Sequence, residues 1–501
     1  MLLFILYAVI LTSFIYYNGC FGLFNDNVVS RRKYSFLFLG KIAAVPVFLF
    51  VYDRFYGGID QFDAGKFHHD VLAISDLAKK DLNFFLRFMF GLQDDAAGCY
   101  DYENAFKNTF NWPNGKVKDY LYNDNRVLIR IHVLLNFIAF DSYPVHALLS
   151  CFLSFVGINF LYKAFKTWFI GKEFQVLLVV CFFPALWLYT GALLKEGITI
   201  FFLGCSVFWL KQLIEGVAGL AGVLWLLFLI FISLLLKPYL LLFTSICFVL
   251  YFIIQRSHKI NRKLFSFLLV FVGLILLINL ASVLLKKRTL LEAAMQHQQR
   301  FIGVSKGGIF LEDTTKFIRL KNDTGFVKRV TGKNNLFTIN KNVPYMYWRT
   351  FKPNDTLYCA SNTDTLSRYE LVYIIPESHS NVTVYSSNVF LMLAASSYYT
   401  LFYPLFFNAV NLLQVLASCE NLLVIAACLF VILGLLQNRK ERFLPLVFVF
   451  IAISLCILVG LTAPNSGAIF RYRAPALIFL LLAALYYLEI PLKGFLNNKD
   501  R

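Results

Sequence analysis

The chain has 501 residues, of which 59% are hydrophobic and 15% charged, where soluble proteins carry about 45–50% and about 25%. That balance excludes an ordinary soluble protein, and 55 Phe and 27 Tyr beside only 13 Pro and 27 Gly exclude a disordered or collagen-like chain. The formal net charge of +18 is read first as basic loops retained on the cytoplasmic side of a membrane and only then as a surface for an anionic ligand; no nucleic-acid partner is expected.

Apolar runs of about 20 residues, the length needed to cross a hydrocarbon core of about 30 Å, recur throughout. The expected fold is an all-α polytopic membrane protein of about eleven transmembrane helices, with interfacial helices and a small mixed α/β outer cap. The spans are placed at 2–23, 35–54, 143–163, 174–190, 197–213, 218–236, 238–254, 264–285, 419–436, 443–462 and 474–490. The chain thereby divides into 1–54 (two spans), 55–142 (first outer segment), 143–285 (central bundle), 286–418 (second outer segment) and 419–501 (three spans and a short tail).

The first run, MLLFILYAVILTSFIYYNGCFGLF, lacks the basic start and small-residue cleavage site of a signal peptide and is kept as a span. Basic residues then mark alternate loops: Arg31, Arg32 and Lys33; Lys163, Lys166 and Lys172; Arg256, Lys259, Arg262 and Lys263; Arg439, Lys440 and Arg442. They assign those loops to the cytoplasm, so the amino terminus lies outside an inner (plasma) membrane and the carboxyl terminus inside. Lys286, Lys287 and Arg288 fall on the outer side, where they either grip an anionic group or mark the preceding span as re-entrant.

After the second span comes YGGIDQFDAGKFHHD, residues 56–70. It gathers Asp60, Asp63, His68, His69 and Asp70 at a membrane face, where apolar surroundings raise a carboxyl pKa and suit Asp60 or Asp63 to general-base work. A divalent metal on the Asp and His side chains is another use of the motif, and a solvated loop turning on Gly57 and Gly58 is the plain structural one. Residues 74–91, with a Ser75 or Asp76 cap, and residues 126–141 are expected to be helices lying in the outer interface. Within the bundle, TGALLKEG brings Lys195 and Glu196 into a connection almost too short to leave the interface, placing Lys195 to hold a phosphate or to snorkel.

The second outer segment has strand-like pieces at 369–375 and 382–385. Its basic excess, including Arg300, Lys306, Lys316, Arg319, Lys321, Lys328, Arg329 and Lys333, is a solvated face or a surface for an anionic glycan or lipid. Near the end, PNSGAIFRYRAP sets Arg471 and Arg473 against the positive-inside bias. An extended Arg471-Tyr472-Arg473 would aim both guanidinium forks at one phosphate with Tyr472 towards lipid, whereas plain interfacial anchoring is the competing use. Eight of the ten Cys lie in or beside spans, while Cys99 and Cys359 lie in outer loops where an oxidising compartment would let them pair. No zinc spacing, Walker loop or dinucleotide fingerprint is present, so no cofactor is expected beyond the metal alternative.

An acidic motif after an early span, interfacial helices in the first large outer loop, many spans and a large late outer loop together resemble the GT-C superfamily of membrane glycosyltransferases. The strings YGGIDQFDAGKFHHD, NRVLIRIHVLLNFIAF, TGALLKEGITIFFLG and SGAIFRYRAPALIFLL are similar to bacterial multispan proteins of cell-surface polysaccharide synthesis, over roughly 40–210 and 440–490. The resemblance implies a polyprenyl-phosphate-linked sugar donor, a glycan or lipid acceptor, and Asp60 or Asp63 at the superfamily's acidic position. The chain departs from it in an extra span before that loop and in having no paired-acid string. The function expected is a glycosyltransferase or glycan polymerase acting at the outer face, in contact with membrane lipids. A transporter or flippase for a lipid-linked glycan, or a non-catalytic assembly subunit, would use the same charges differently.

Overall fold

The computed structural model describes residues 2–18, 22–90, 109, 124–254, 260–286, 289–295, 298, seven strands between 308 and 375, 382, 384, 388–409, 412–437, 443–463 and 465–488. Helices dominate. In chain order they are α1 (Leu2–Ser13, continued as a π-helical turn Phe14–Asn18), α2 (Arg31–Ile42), α3 (Ala44–Tyr56), α4 (Asp63–Lys80), α5 (Leu82–Met89), α6 (Asp124–Ala139) and α7 (Tyr143–Phe165). Next come α8 (Glu173–Phe182), α9 (Pro184–Thr190), α10 (Lys195–Ile214), α11 (Leu220–Leu236), α12 (Pro238–Ile254) and α13 (Ile260–Lys286). After the strands follow α14 (Val389–Phe402), α15 (Leu412–Leu436), α16 (Phe443–Thr462), α17 (Ser466–Tyr472) and α18 (Ala474–Tyr487).

Among the described residues, six helices are long and apolar enough to cross a membrane, or eight if each of two bent pairs is one span. The chain is therefore a polytopic helical protein, but not with the eleven full-length spans expected. Within the runs at 2–23, 218–236 and 238–254 the described helices are too short: α11 has 17 residues, about 25 Å at 1.5 Å per residue against a core of about 30 Å. The bent pairs are α8–α9, broken by 62° where Pro184 starts a new helix, and α17–α18, broken by 53° at Arg473. One apolar helix, α14, lies inside the expected outer segment, and α15 begins before residue 419.

The bundle is centred on α7 and α10. Residues Tyr143–Trp168 are the most buried span, 83% of its apolar window, whereas Arg262–Leu284 at the periphery is 11% buried. α7 and α10 touch backbone to backbone at Gly157 and Gly204, where a Cβ on either would collide with the other helix; small residues permit such approach where lipid supplies no hydrophobic drive. The main core joins Phe38, Phe155, Phe165, Phe248, Phe448 and Phe479. A second core packs α4 and α6 against the bundle through Val71, Ile74, Leu128, Val133 and Leu193.

The helix expected at 74–91 starts earlier, because the Asp63 end rather than Ser75 opens α4, and Ser75 is buried within it. The break comes at Asp81, whose Oδ1 accepts from the Phe84 amide at 2.9 Å and starts α5. The helix expected at 126–141 is α6. Seven short strands pair antiparallel in the order β3-β4-β7-β1-β2-β5-β6: β1 (Gly308–Leu311), β2 (Lys316–Ile318), β3 (Val327–Arg329), β4 (Leu336–Ile339), β5 (Val343–Tyr347), β6 (Leu357–Cys359) and β7 (Arg368–Ile375). The 369–375 piece lies in β7, while Val382 and Val384 belong to no regular element. Cys99, Lys287, Arg288, Arg300, Lys306, Arg319, Lys321 and Lys333 lie outside the described residues.

Candidate functional site

Five chain segments meet around one group of charges. Tyr56 ends α3 because Gly57 and Gly58 take left-handed φ values of 75° and 109°. The chain then makes one 3-10 turn, Ile59–Gln61, and enters α4. Gly65 allows that turn to lie on the helix, since a Cβ there would meet the Ile59 carbonyl at 2.5 Å. This fold sets Asp63 at the first position of α4. Lys195 and Glu196 open α10 directly after the break that ends α9. Lys237 joins α11 to α12, Asp124 opens α6, and Arg471 and Tyr472 close α17.

Arg471 is the hub. Its Nη1 donates to Asp63 Oδ2 at 3.1 Å and its Nη2 to the Tyr472 hydroxyl at 2.8 Å, while Nε stands 3.3 Å from Glu196 Oε1. Lys237 Nζ lies 3.5 Å from that same Glu196 oxygen and 4.2 Å from the Tyr472 ring centroid. Lys195 Nζ pairs with Asp124 Oδ2 at 2.5 Å. Glu196 is wholly buried, and its Oε2 has no hydrogen-bond partner among the described residues. Three helix starts, the α11–α12 joint and the broken α17–α18 pair thus bring together three cations, three carboxylates and a phenol.

The Asp63 side chain is half exposed, at the rim of the group. Burial pushes its carboxyl upward, but the Arg471 guanidinium, its hydrogen bond and the Lys195 and Lys66 charges outweigh burial and hold it below the usual carboxylate value. Chemically, the arrangement offers a carboxylate for a proton beside guanidinium and ammonium groups for an oxyanion.

Of the residues expected from sequence, Asp63, Lys195, Glu196 and Arg471 converge here and the others do not. Asp60 is exposed on the 3-10 turn and makes no ion pair among the described residues. Asp70 is completely buried in α4, and His69 is exposed on another side of the same helix. Arg473 does not share a target with Arg471. Residues 466–472 are helical, capped by Asn465 Oδ1 accepting from the Ala468 amide at 2.8 Å, and Arg473 is itself in helical conformation. Pro475 sits in the first turn of α18, where proline is tolerated, so it forces no extended approach. Two residues apart on a helix point apart, and Arg473 turns into the bundle, where Nη2 donates to Glu420 Oε1 at 2.7 Å and Nη1 to the Thr400 carbonyl at 3.0 Å. Tyr472 faces the cations, not lipid.

His68 joins a different group. Its ring packs 5.6 Å from His146 and 5.5 Å from Tyr143. Below it, His132 Nδ1 and His146 Nδ1 are 3.2 Å apart, His146 Nε2 is 2.9 Å from Asn136 Oδ1, and His132 Nε2 is 3.3 Å from Ser150 Oγ. Asn136 donates from Nδ2 to Asp141 Oδ1 at 2.7 Å, which makes its Oδ1 the acceptor. The protons then have one consistent order: Ser150 to His132, His132 to His146, His146 to Asn136, Asn136 to Asp141, with both imidazoles neutral. Burial, with His146 and His68 nearby, holds His132 well below its ordinary value. Among the described residues no three His, Cys, Asp or Glu side chains form a group that could hold a metal ion.

Sequence reasoning missed Asp124, Lys237 and the inward face of Tyr472 as members of the site, and the pairing of Arg473 with Glu420. Lys237 did carry a signal: a lone cation between two apolar runs, LLL and PYLLLF, must be paired or exposed. Compared with protein families, with curated proteins and with solved structures, the chain matches none.

Proposed function

We propose that the protein is a membrane glycosyltransferase or glycan polymerase that takes a sugar from a polyprenyl-phosphate or polyprenyl-pyrophosphate carrier, for cell-surface polysaccharide synthesis. The observation that carries this reading is the contact of Asp63 with Arg471 inside a group that also holds Lys195 and Lys237. In this reading the acceptor hydroxyl gives its proton to Asp63 as its oxygen bonds to the anomeric carbon. The bond from that carbon to the carrier phosphate breaks, and its electron pair leaves on a phosphate oxygen faced by Arg471, Lys237 and Lys195. The protein would sit in a bacterial inner membrane, the amino terminus outside, the carboxyl terminus cytoplasmic, and the 308–375 strands in an outer cap. Comparison of lipid-linked intermediates from cells with and without the protein tests it: one unextended intermediate accumulates if the reading is right, and an unchanged profile counts against it.

A second reading, a transporter for a lipid-linked glycan, is favoured by one observation. Lys41 is fully buried in the Arg31–Phe55 span, its Nζ donating to the Thr190 hydroxyl at 2.6 Å, and charges at such depth mark transport paths. Accumulation of the same lipid intermediate unextended on the cytoplasmic leaflet would select transport over transfer.

A further inference from the structure

Each cation of the site already has an anion. Arg471 contacts Asp63 and Glu196, Lys237 contacts Glu196, and Lys195 contacts Asp124, so three positive charges meet three negative ones. Cations so paired have little spare attraction for a phosphate unless one carboxylate gives way, and Lys66, which also bears on Asp63, adds a further positive charge. The three carboxylates differ in their freedom to do so: the Glu196 side chain is 1% exposed and wedged between two cations, whereas those of Asp63 and Asp124 are 50% and 41% exposed at the rim. Asp63 also holds Arg471 through a single oxygen on a single nitrogen, Oδ2 on Nη1, rather than by a two-point fork. Nη1 is therefore the donor that an incoming phosphate can take without disturbing the Tyr472 and Glu196 contacts.

We propose that Asp63 occupies Arg471 as a stand-in for the substrate's phosphate, and that phosphate binding displaces it and converts it from counter-ion to base. This rests on the reading of the site as one for a phosphate-linked sugar donor. An ion-paired carboxylate is a weak base, because the guanidinium stabilises its charge. Once phosphate neutralises Arg471, burial is left with less opposition, and the carboxyl moves upward towards the range where it can take a proton. The groups facing Asp63 all bear on that change: Arg471 from α17, Lys195 from α10 and Lys66 on α4 itself hold it down, while Glu196 beside Arg471 and Asp124 beside Lys195 blunt those cations. Base and donor are thereby coupled, so the acceptor is activated when the donor's phosphate is in place.

The test is binding of farnesyl diphosphate and, separately, inorganic pyrophosphate to the full-length protein in nanodiscs, the tighter probe telling a lipid phosphate from a free one. Asp63→Asn removes the competing charge and is expected to bind the diphosphate about fivefold more tightly than wild type, the scale of a half-exposed ion pair. Arg471→Ala is expected to lose binding. In the wild type, protonating the Asp63 carboxylate should release Arg471 as the substitution does, so diphosphate affinity should rise relative to Asp63→Asn as pH falls towards the carboxylate range, while near neutral pH the carboxylate stays ionised and able to act as base. Unchanged or weaker binding by Asp63→Asn, with Arg471→Ala inactive in binding, would overturn the exchange and leave the phosphate site standing. Wild-type affinity in Arg471→Ala would overturn both.

Discussion

Arg473 and Glu420 form a closed pair inside the bundle: Nη2 meets Oε1 at 2.7 Å, and the other Glu420 oxygen accepts from the Ala185 amide at 2.7 Å. The Ala185 amide is at the start of α9, one of the broken helices, so this pair ties α15, α18 and the α8–α9 break together. Arg471, two residues away, is turned to the site instead. The two arginines of RYR therefore have separate work, one structural and one at the site.

The first prediction follows from that division. Arg473→Met strands a buried carboxylate and should destabilise the protein by about 3–5 kcal/mol, read as lower membrane abundance and a lower melting temperature in detergent. Arg471→Lys should leave both near wild type and reduce activity, because lysine keeps the charge but cannot reach Asp63, Tyr472 and Glu196 together. Equal loss of abundance in the two variants would remove the distinction.

Asp63 and Asp60 are separated by the same logic. Asp63→Asn should lower transfer by about 10²–10⁴ at unchanged abundance, while Asp60→Asn, on an exposed turn, should stay within about threefold of wild type, as surface substitutions usually do. Measured on matched membranes, a severe defect in Asp60→Asn with an active Asp63→Asn would reverse the assignment.

Lys237 and Glu196 should act through Arg471. Removing the Lys237 ammonium in Lys237→Met leaves Glu196 a single cation, Arg471, and is expected to cost transfer activity about tenfold or more, the scale of about 1.4 kcal/mol or more for a buried charged contact. Glu196→Gln frees Arg471 on its Nε side and should weaken transfer while preserving abundance better than Arg473→Met. Activity equal to wild type in Lys237→Met would exclude Lys237 from the site.

Much of this was legible in the sequence. The apolar runs located the helices because hydrophobic length is a one-dimensional property, and YGGIDQFDAGKFHHD, TGALLKEG and FRYR each contributed a residue to the site. Crossing number was less legible, since α11 and α12 share their apolar run with the Lys237 joint and each is left short. Pairing was least legible. Asp63 and Arg471 are 408 positions apart, and no local pattern in the sequence joins them. The extended Arg471-Tyr472-Arg473 expected from the sequence failed because Asn465 caps a helix over residues 466–472.

The last prediction concerns pH. The chain from Ser150 through His132 and His146 to Asn136 and Asp141 holds one proton between two Nδ1 atoms at 3.2 Å. Protonating His146 at Nδ1 would set two N–H groups against each other, and protonating His132 at Nε2 would reverse its hydrogen bond with the Ser150 hydroxyl; the folded protein keeps His132 neutral well below its ordinary value, through burial first and the neighbouring histidines second. In the unfolded chain it titrates near 6.5. Below that pH the unfolded state binds more protons than the folded one, and stability falls as pH falls, by up to about 1.4 kcal/mol per unit for each such histidine. His68, lowered mainly by burial, adds in the same direction. Asp63 does not enter this window: its depressed carboxyl favours the folded state above the unfolded value near 3.8, and that contribution is lost only at lower pH. The melting temperature of the detergent-solubilised protein should therefore drop between pH 7.5 and 5.5, and His132→Gln, although less stable at neutral pH, should show a shallower drop. Identical slopes for the two proteins would mean that His132 titrates alike in folded and unfolded chains, and the neutral chain assigned from its hydrogen bonds would have to be abandoned.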